Sequence, residues 1–131
     1  MSGGAGGSRG AGAGPDNPPV VVLIAADPRT SHRANEAMRI GLGITAGDNE
    51  VCFVLTGPAA HLLDGDTDDL VDGDDIAKFR ATVKELGVPF HVEKPAIPDD
   101  PDWNAEGHEV IAVTRERIAE LVRQGRRFLV F

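Results

Sequence analysis

The chain has 131 residues, a formal net charge of −8 and a sequence pI near 4.8, so its surface repels phosphate backbones and anionic bilayers rather than attracting them. It contains no apolar run long enough to span a membrane, and its N-terminus lacks the basic-then-hydrophobic layout of a secretory signal. The expectation is therefore a soluble cytoplasmic protein that binds neither nucleic acid nor membrane.

Residues 1–19, "MSGGAGGSRGAGAGPDNPP", are rich in Gly, Ala, Ser and Pro and carry no apolar periodicity to offset the entropy of ordering, so they read as a disordered tail. Residues 20–131 supply enough chain for one ordinary domain with a single core. "VVVLIAA" from Val20 to Ala26 is a continuous apolar, largely β-branched run, the pattern of a strand covered on both faces of a parallel sheet. After "DPRT", the segment 31–47 places Ala34, Ala37, Met38, Gly41 and Ile44 on one helical stripe, with Thr30 or Ser31 available as the cap. Gly41 and Gly43 weaken that helix and are expected to permit close approach to the sheet or to another helix.

A second buried strand follows from Glu50 to Thr56, then a Gly-Pro turn and a short helical piece through Leu63. An acidic loop leads into "DDIAKFRATVKELG", where Ile76, Phe79, Val83 and Leu86 recur at helical spacing and Gly87 stands where a helix-terminating glycine belongs. The third strand runs from Pro89 to Glu93, and Pro95 and Pro98 forbid its continuation. A polar loop, the strand "EVIAV", the helix "TRERIAELVRQG" and a terminal strand "RRFLVF" complete the pattern. Five strands alternating with helices predict an α/β domain: a mostly parallel five-stranded sheet with helices on both faces, a Rossmann-like or flavodoxin-like three-layer arrangement.

Ligands of such sheets bind at the carboxyl ends of the strands. Glu93, Lys94 and His91 lie there on the third strand; strand alternation puts His91 and Glu93 on one side and Lys94 at the rim. Asp27, Arg29, Ser31 and His32 follow the first strand, and Thr56 and Gly57 follow the second. All are candidates to line one polar crevice for a small anionic ligand. The plainer reading of Glu93 and Lys94 is a partly solvated charge pair at a loop start. Trp103, the single tryptophan, is a candidate to cap a pocket or anchor a subunit contact, against ordinary loop packing.

Asp64, Asp66, Asp68, Asp72 and Asp75 match positions 1, 3, 5, 9 and 12 of a calcium-loop count. The sixth position is Asp69 rather than glycine and the twelfth lacks the longer bidentate glutamate, so a solvated acidic loop is the better reading. The four histidines are dispersed, and the single cysteine, Cys52, leaves no cluster for zinc and no internal disulfide. No phosphate-cradling glycine motif follows the first strand, so no metal and no cofactor are expected.

From Val20 to Phe131 the order of elements and the strings "RANEAMRIGLGITA", "NEVCFVLTGPAA", "ELGVPFHV" and "IAELVRQGRRFLVF" resemble the DsrE/DsrF-like family, which includes TusD-type sulfur-relay subunits. In its sulfur-carrying members a cysteine near the end of the third strand accepts a persulfide. That position falls at or next to Glu93 here, and a carboxylate cannot serve as the thiolate nucleophile and leaving group of sulfur transfer. Cys52, inside "EVCFVL", is expected to be a core residue. The resemblance implies a homo-oligomer, or assembly with related subunits, and a non-catalytic or ligand-binding role. The alternatives are an enzyme using Glu93 or His91 as acid/base, and residual sulfur transfer through Cys52.

Overall fold

The structure, a computed structural model, describes residues 18–131. In chain order it comprises β1 (Val20–Ile24), α1 (Arg33–Ala46), β2 (Val51–Leu55), a 3₁₀ segment (Gly57–Leu63), α2 (Gly73–Glu85), β3 (Phe90–Glu93), a 3₁₀ turn (Lys94–Ala96), β4 (Val110–Val113), α3 (Arg115–Gln124) and β5 (Arg127–Val130). All neighbouring strands are parallel, in the order β4-β3-β2-β1-β5. The predicted five-stranded parallel α/β sheet with helices on both faces is therefore the observed architecture.

The chain steps outward from β1 to β4 and then returns across the sheet to place β5 on the far side of β1. Right-handed crossovers in opposite directions put their helices on opposite faces. One face packs Val22, Ile24, Phe53, Leu55, Phe90 and Val92 against α1, α2 and the 3₁₀ segment. The other packs Val21, Cys52, Val54 and Val113 against Ile118, Leu121 and Val122 of α3.

The expected tail lies outside the described residues as far as Asn17; at its end the Pro19 carbonyl accepts from the Arg126 N–H at 2.9 Å, joining it to the start of β5. β1 ends at Ile24 rather than Ala26, because the amides of Ala25 and Ala26 both turn to the Phe131 carbonyl, at 2.7 and 3.2 Å. α1 is capped by His32 without a side-chain bond, although the Ser31 hydroxyl accepts from the Arg33 N–H at 3.1 Å.

The two helical glycines differ. A Cβ at Gly41 would stand 2.5 Å from Cε1 and Cζ of Phe53, whose ring is 1% exposed and packs on Phe90 at a centroid distance of 5.6 Å. Gly43, expected to do likewise, has no atom within 4 Å of such a Cβ, so it makes no close approach.

On α2, Ile76 and Val83 face the core as predicted, but the helix ends at Glu85 and Leu86, expected on the apolar stripe, lies in the terminating turn at 48% exposure. Gly87 fulfils its role, with φ +71° and its N–H on the Lys84 carbonyl at 3.0 Å. The position unforeseen from periodicity is Arg80, which is fully buried. Its Nη1 donates to the carbonyls of Leu62 at 2.9 Å and Asp64 at 2.6 Å. Nη2 is 2.9 Å from Glu106 Oε2 yet outside hydrogen-bonding angles, so that attraction is coulombic, and Nε has no partner.

Gly41→Ala should destabilise the fold by about 1–3 kcal/mol through overpacking, because the Phe53 ring has nowhere to go. Gly43→Ala should be neutral or stabilise by up to about 1 kcal/mol through helix propensity. Urea unfolding of the two variants checks this; equal effects would refute the close approach at Gly41.

Candidate functional site

The apolar β3 ends in a carboxylate because that carboxylate has a backbone partner. Glu93 Oε1 accepts from the Gly57 N–H at 3.3 Å, at the end of β2, and Oε2 lies 4.0 Å from Arg115 Nε at the start of α3. The Glu93 side chain is 18% exposed and that of Arg115 88%. α3 begins where it does because the Thr114 hydroxyl accepts from the Arg117 N–H at 3.1 Å, an N-cap set directly after Val113, which pairs with Glu93 across β3 and β4. Glu93 therefore spans the exits of β2 and β4, and Lys94 stands exposed beside it in the 3₁₀ turn.

His91 shares the α3 face with Glu93 but is turned into the sheet. Its Nδ1 lies 3.3 Å from the Phe53 carbonyl and 3.5 Å from Cys52 Sγ. A carbonyl only accepts, so the contact selects the neutral tautomer protonated at Nδ1. Burial lowers the His91 pKa, in part against the Phe53 hydrogen bond. Cys52 is 7% exposed, and burial pushes its thiol up to about 11 against the opposing charge of Arg117. It is a protonated core thiol at neutral pH.

The residues after β1 form a second polar set. Arg29 donates from Nε and Nη2 to the two Asp27 oxygens, each at 3.0 Å, and this hydrogen bonding holds Asp27 below its ordinary value and Arg29 above it. His61, not singled out from the sequence, and Asp64, weighed there only as a calcium-loop position, belong beside them: His61 Nδ1 is 3.1 Å from both Asp64 oxygens, and both residues are felt electrostatically by the Asp27–Arg29 pair. The signal available in the sequence was their spacing of three within the helical piece after β2. Ser31 is engaged at the α1 start, while His32 is exposed, 3.9 Å from Glu36. Thr56 is absorbed into the ladder, its N–H on the Ile24 carbonyl at 3.0 Å. The half-buried Trp103 donates from Nε1 to the Ala60 carbonyl at 2.7 Å and packs on the core.

The candidate residues are held in two polar sets, Glu93–Gly57–Arg115 and Asp27–Arg29–His61–Asp64, and no hydrogen bond or ion pair joins the two among the described residues. The acidic loop is a separate open groove of about 380 Å³ at the start of α2, lined by Thr67, Asp68, Leu70, Asp72 and Asp74 among others. Among the described residues no group of three or more His, Cys, Asp or Glu is placed to hold a metal ion, and no helix is long and apolar enough to cross a membrane.

No family model matches the chain, and no curated protein matches it. Among solved structures, the crystal structure of the ychN protein from E. coli is similar with a TM-score of 0.69 at 15% sequence identity, covering 87% of this chain and 99% of that one. The likeness establishes the fold: a five-stranded parallel α/β domain shared with that protein.

The raised Cys52 pKa has a signed consequence. The native state keeps its proton beyond the unfolded value near 9.0, so the stabilisation is complete below that pH and is lost as pH rises through about 11. Wild type should lose roughly 2–3 kcal/mol more than Cys52→Ala between pH 8 and pH 12, measured by urea unfolding. An unchanged gap between the two proteins would show the thiol to be solvated.

Proposed function

We propose that the chain is a non-catalytic DsrE-like subunit or small-ligand binding module, related to sulfur-relay proteins but without their cysteine, that works as a homo-oligomer or with related subunits. The observation that carries this reading is the Glu93 carboxylate at the end of β3, bound to the Gly57 N–H; the family resemblance assigns the sulfur-carrying thiol to this position or the one next to it. Carboxylate oxygen is neither polarisable enough to take sulfane sulfur nor able to release it. The chain's single thiol lies beneath α3 with a pKa near 11, which keeps it protonated and shielded from a donor.

The ligand class that suits the site is a small anion. Arg115 and the exposed Lys94 flank Glu93, and Arg29 stands at the exit of β1, with Ser31, His32, Thr56, Gly57 and Trp103 as further candidates around the strand ends. Acid–base catalysis by His91 draws less support, since its Nδ1 is committed to the Phe53 carbonyl.

The test is intact mass spectrometry of the purified protein before and after a low-molecular-weight persulfide donor, with Cys52→Ala in parallel. The expected outcome is no sulfur adduct on folded wild type. An added sulfur that disappears in Cys52→Ala would overturn the non-catalytic reading and make Cys52 the carrier.

A further inference from the structure

Five strands about 4.8 Å apart present a face more than 20 Å wide, while one helix, about 10 Å across, covers roughly two of them. The first face carries α1, α2 and the 3₁₀ segment, but the second carries α3 alone. The shortfall falls on the two edge strands: Ile111 of β4 is 39% exposed on that face, and β5 is barer still. Phe128 and Val130, in register with Val21 and Leu23 and therefore on the α3 face, are 53% and 55% exposed.

β5 is also an edge: among the described residues it pairs only with β1. Phe131 bonds to β1 in both directions: its N–H donates to Leu23 at 2.9 Å and its carbonyl accepts from Ala25 at 2.7 Å. Alternation then turns the backbone of Leu129 toward β1 and that of Phe128 and Val130 outward. The two β5 residues that expose apolar side chains are the same two whose N–H and C=O groups face away from β1 and have no partner among the described residues.

We infer that β5 is the interface for a second copy of this chain, joined by antiparallel β5–β5 pairing about a two-fold axis at Leu129. This rests on the oligomeric reading above and names the surface it would use. Centred there, Phe128 of each copy stands opposite Val130 of the other, so the outward N–H and C=O groups pair and each aromatic ring meets a β-branched side chain. The charges suit this alignment and no parallel one. Arg127 falls opposite Phe131 of the second copy, whereas parallel pairing would set Arg127 against Arg127. Packing of a second α3 onto the open flank is disfavoured, because Arg117, Glu120 and Arg123 make the outer side of that helix charged. β5 has only four residues, so the contact is small against the ~800 Å² per partner of a stable complex and the dimer is concentration-dependent.

The test is sedimentation equilibrium of the full chain from low micromolar to several hundred micromolar, on wild type, Phe128→Lys and Val130→Lys. Leu129→Cys in a Cys52→Ala background is oxidised in parallel. Wild type should pass from monomer to dimer with concentration. Each lysine variant should weaken association by at least about tenfold, with an unchanged thermal melt because both positions are exposed, and Leu129→Cys should yield a disulfide-linked dimer. A wild type that stays monomeric throughout overturns this inference and the oligomeric reading together. An oligomer that survives both lysine variants, or that fails to crosslink at position 129, overturns the β5 interface alone and leaves the oligomeric reading standing.

Discussion

The structure depends on one requirement: a parallel strand must be covered on both faces. β1 sits between β2 and β5 with Val21, Val22 and Ile24 buried, so it can be satisfied only if helices lie above and below it. Covering the first face brings α1 close enough that only a glycine fits at position 41 over Phe53. Covering the second requires the chain to recross the sheet after β4, which places α3 over Cys52 and leaves β5 at the border. The positions of the thiol, the open flank and the strand ends all follow from that return.

The same requirement explains why the two faces have different chemistry. Where three helical elements pack, the buried sheet residues are apolar. Under the single helix, polar groups appear: His91 on Cys52, and Glu93 reaching the Gly57 amide. Glu93 avoids the full penalty of a buried charge by standing at the strand exit with one backbone donor and a distant guanidinium. Its carboxylate is held in place there, and any ligand of that corner must accommodate or displace it.

Much of the fold was legible because its signals are local. β-branched runs marked β1 and β2, helical spacing of Ile76, Phe79 and Val83 with Gly87 behind them marked α2, and Thr114 opens α3 as an N-cap should. The errors have physical causes. Leu86 matched the helical period but fell beyond the last turn, and Gly43 shares the composition of Gly41 without its neighbour. The candidate site was half legible. Alternation placed His91 and Glu93 on one side, but which strand exits lie together depends on topology, so the pairing of Asp27 and Arg29 with His61 and Asp64, and the division into two polar sets, could not be read from spacing. Arg80 was invisible because a charged residue in a helix is ordinarily solvent-facing.

That buried arginine ties three distant stretches of chain together. Its guanidinium holds carbonyls at Leu62 and Asp64 and the carboxylate of Glu106, while Lys84 Nζ donates to the Glu106 carbonyl at 2.6 Å and His108 Nε2 is 3.1 Å from Glu106 Oε1. Releasing the long loop before β4 takes the Glu106 carboxylate from the buried Arg80 guanidinium, a cost that ordinary exposed loops do not carry. The loop should therefore open together with the end of the 3₁₀ segment and the middle of α2. These three pieces form one cooperative substructure, and their backbone amides should share a single free energy of opening in hydrogen exchange even though half of them lie in irregular chain.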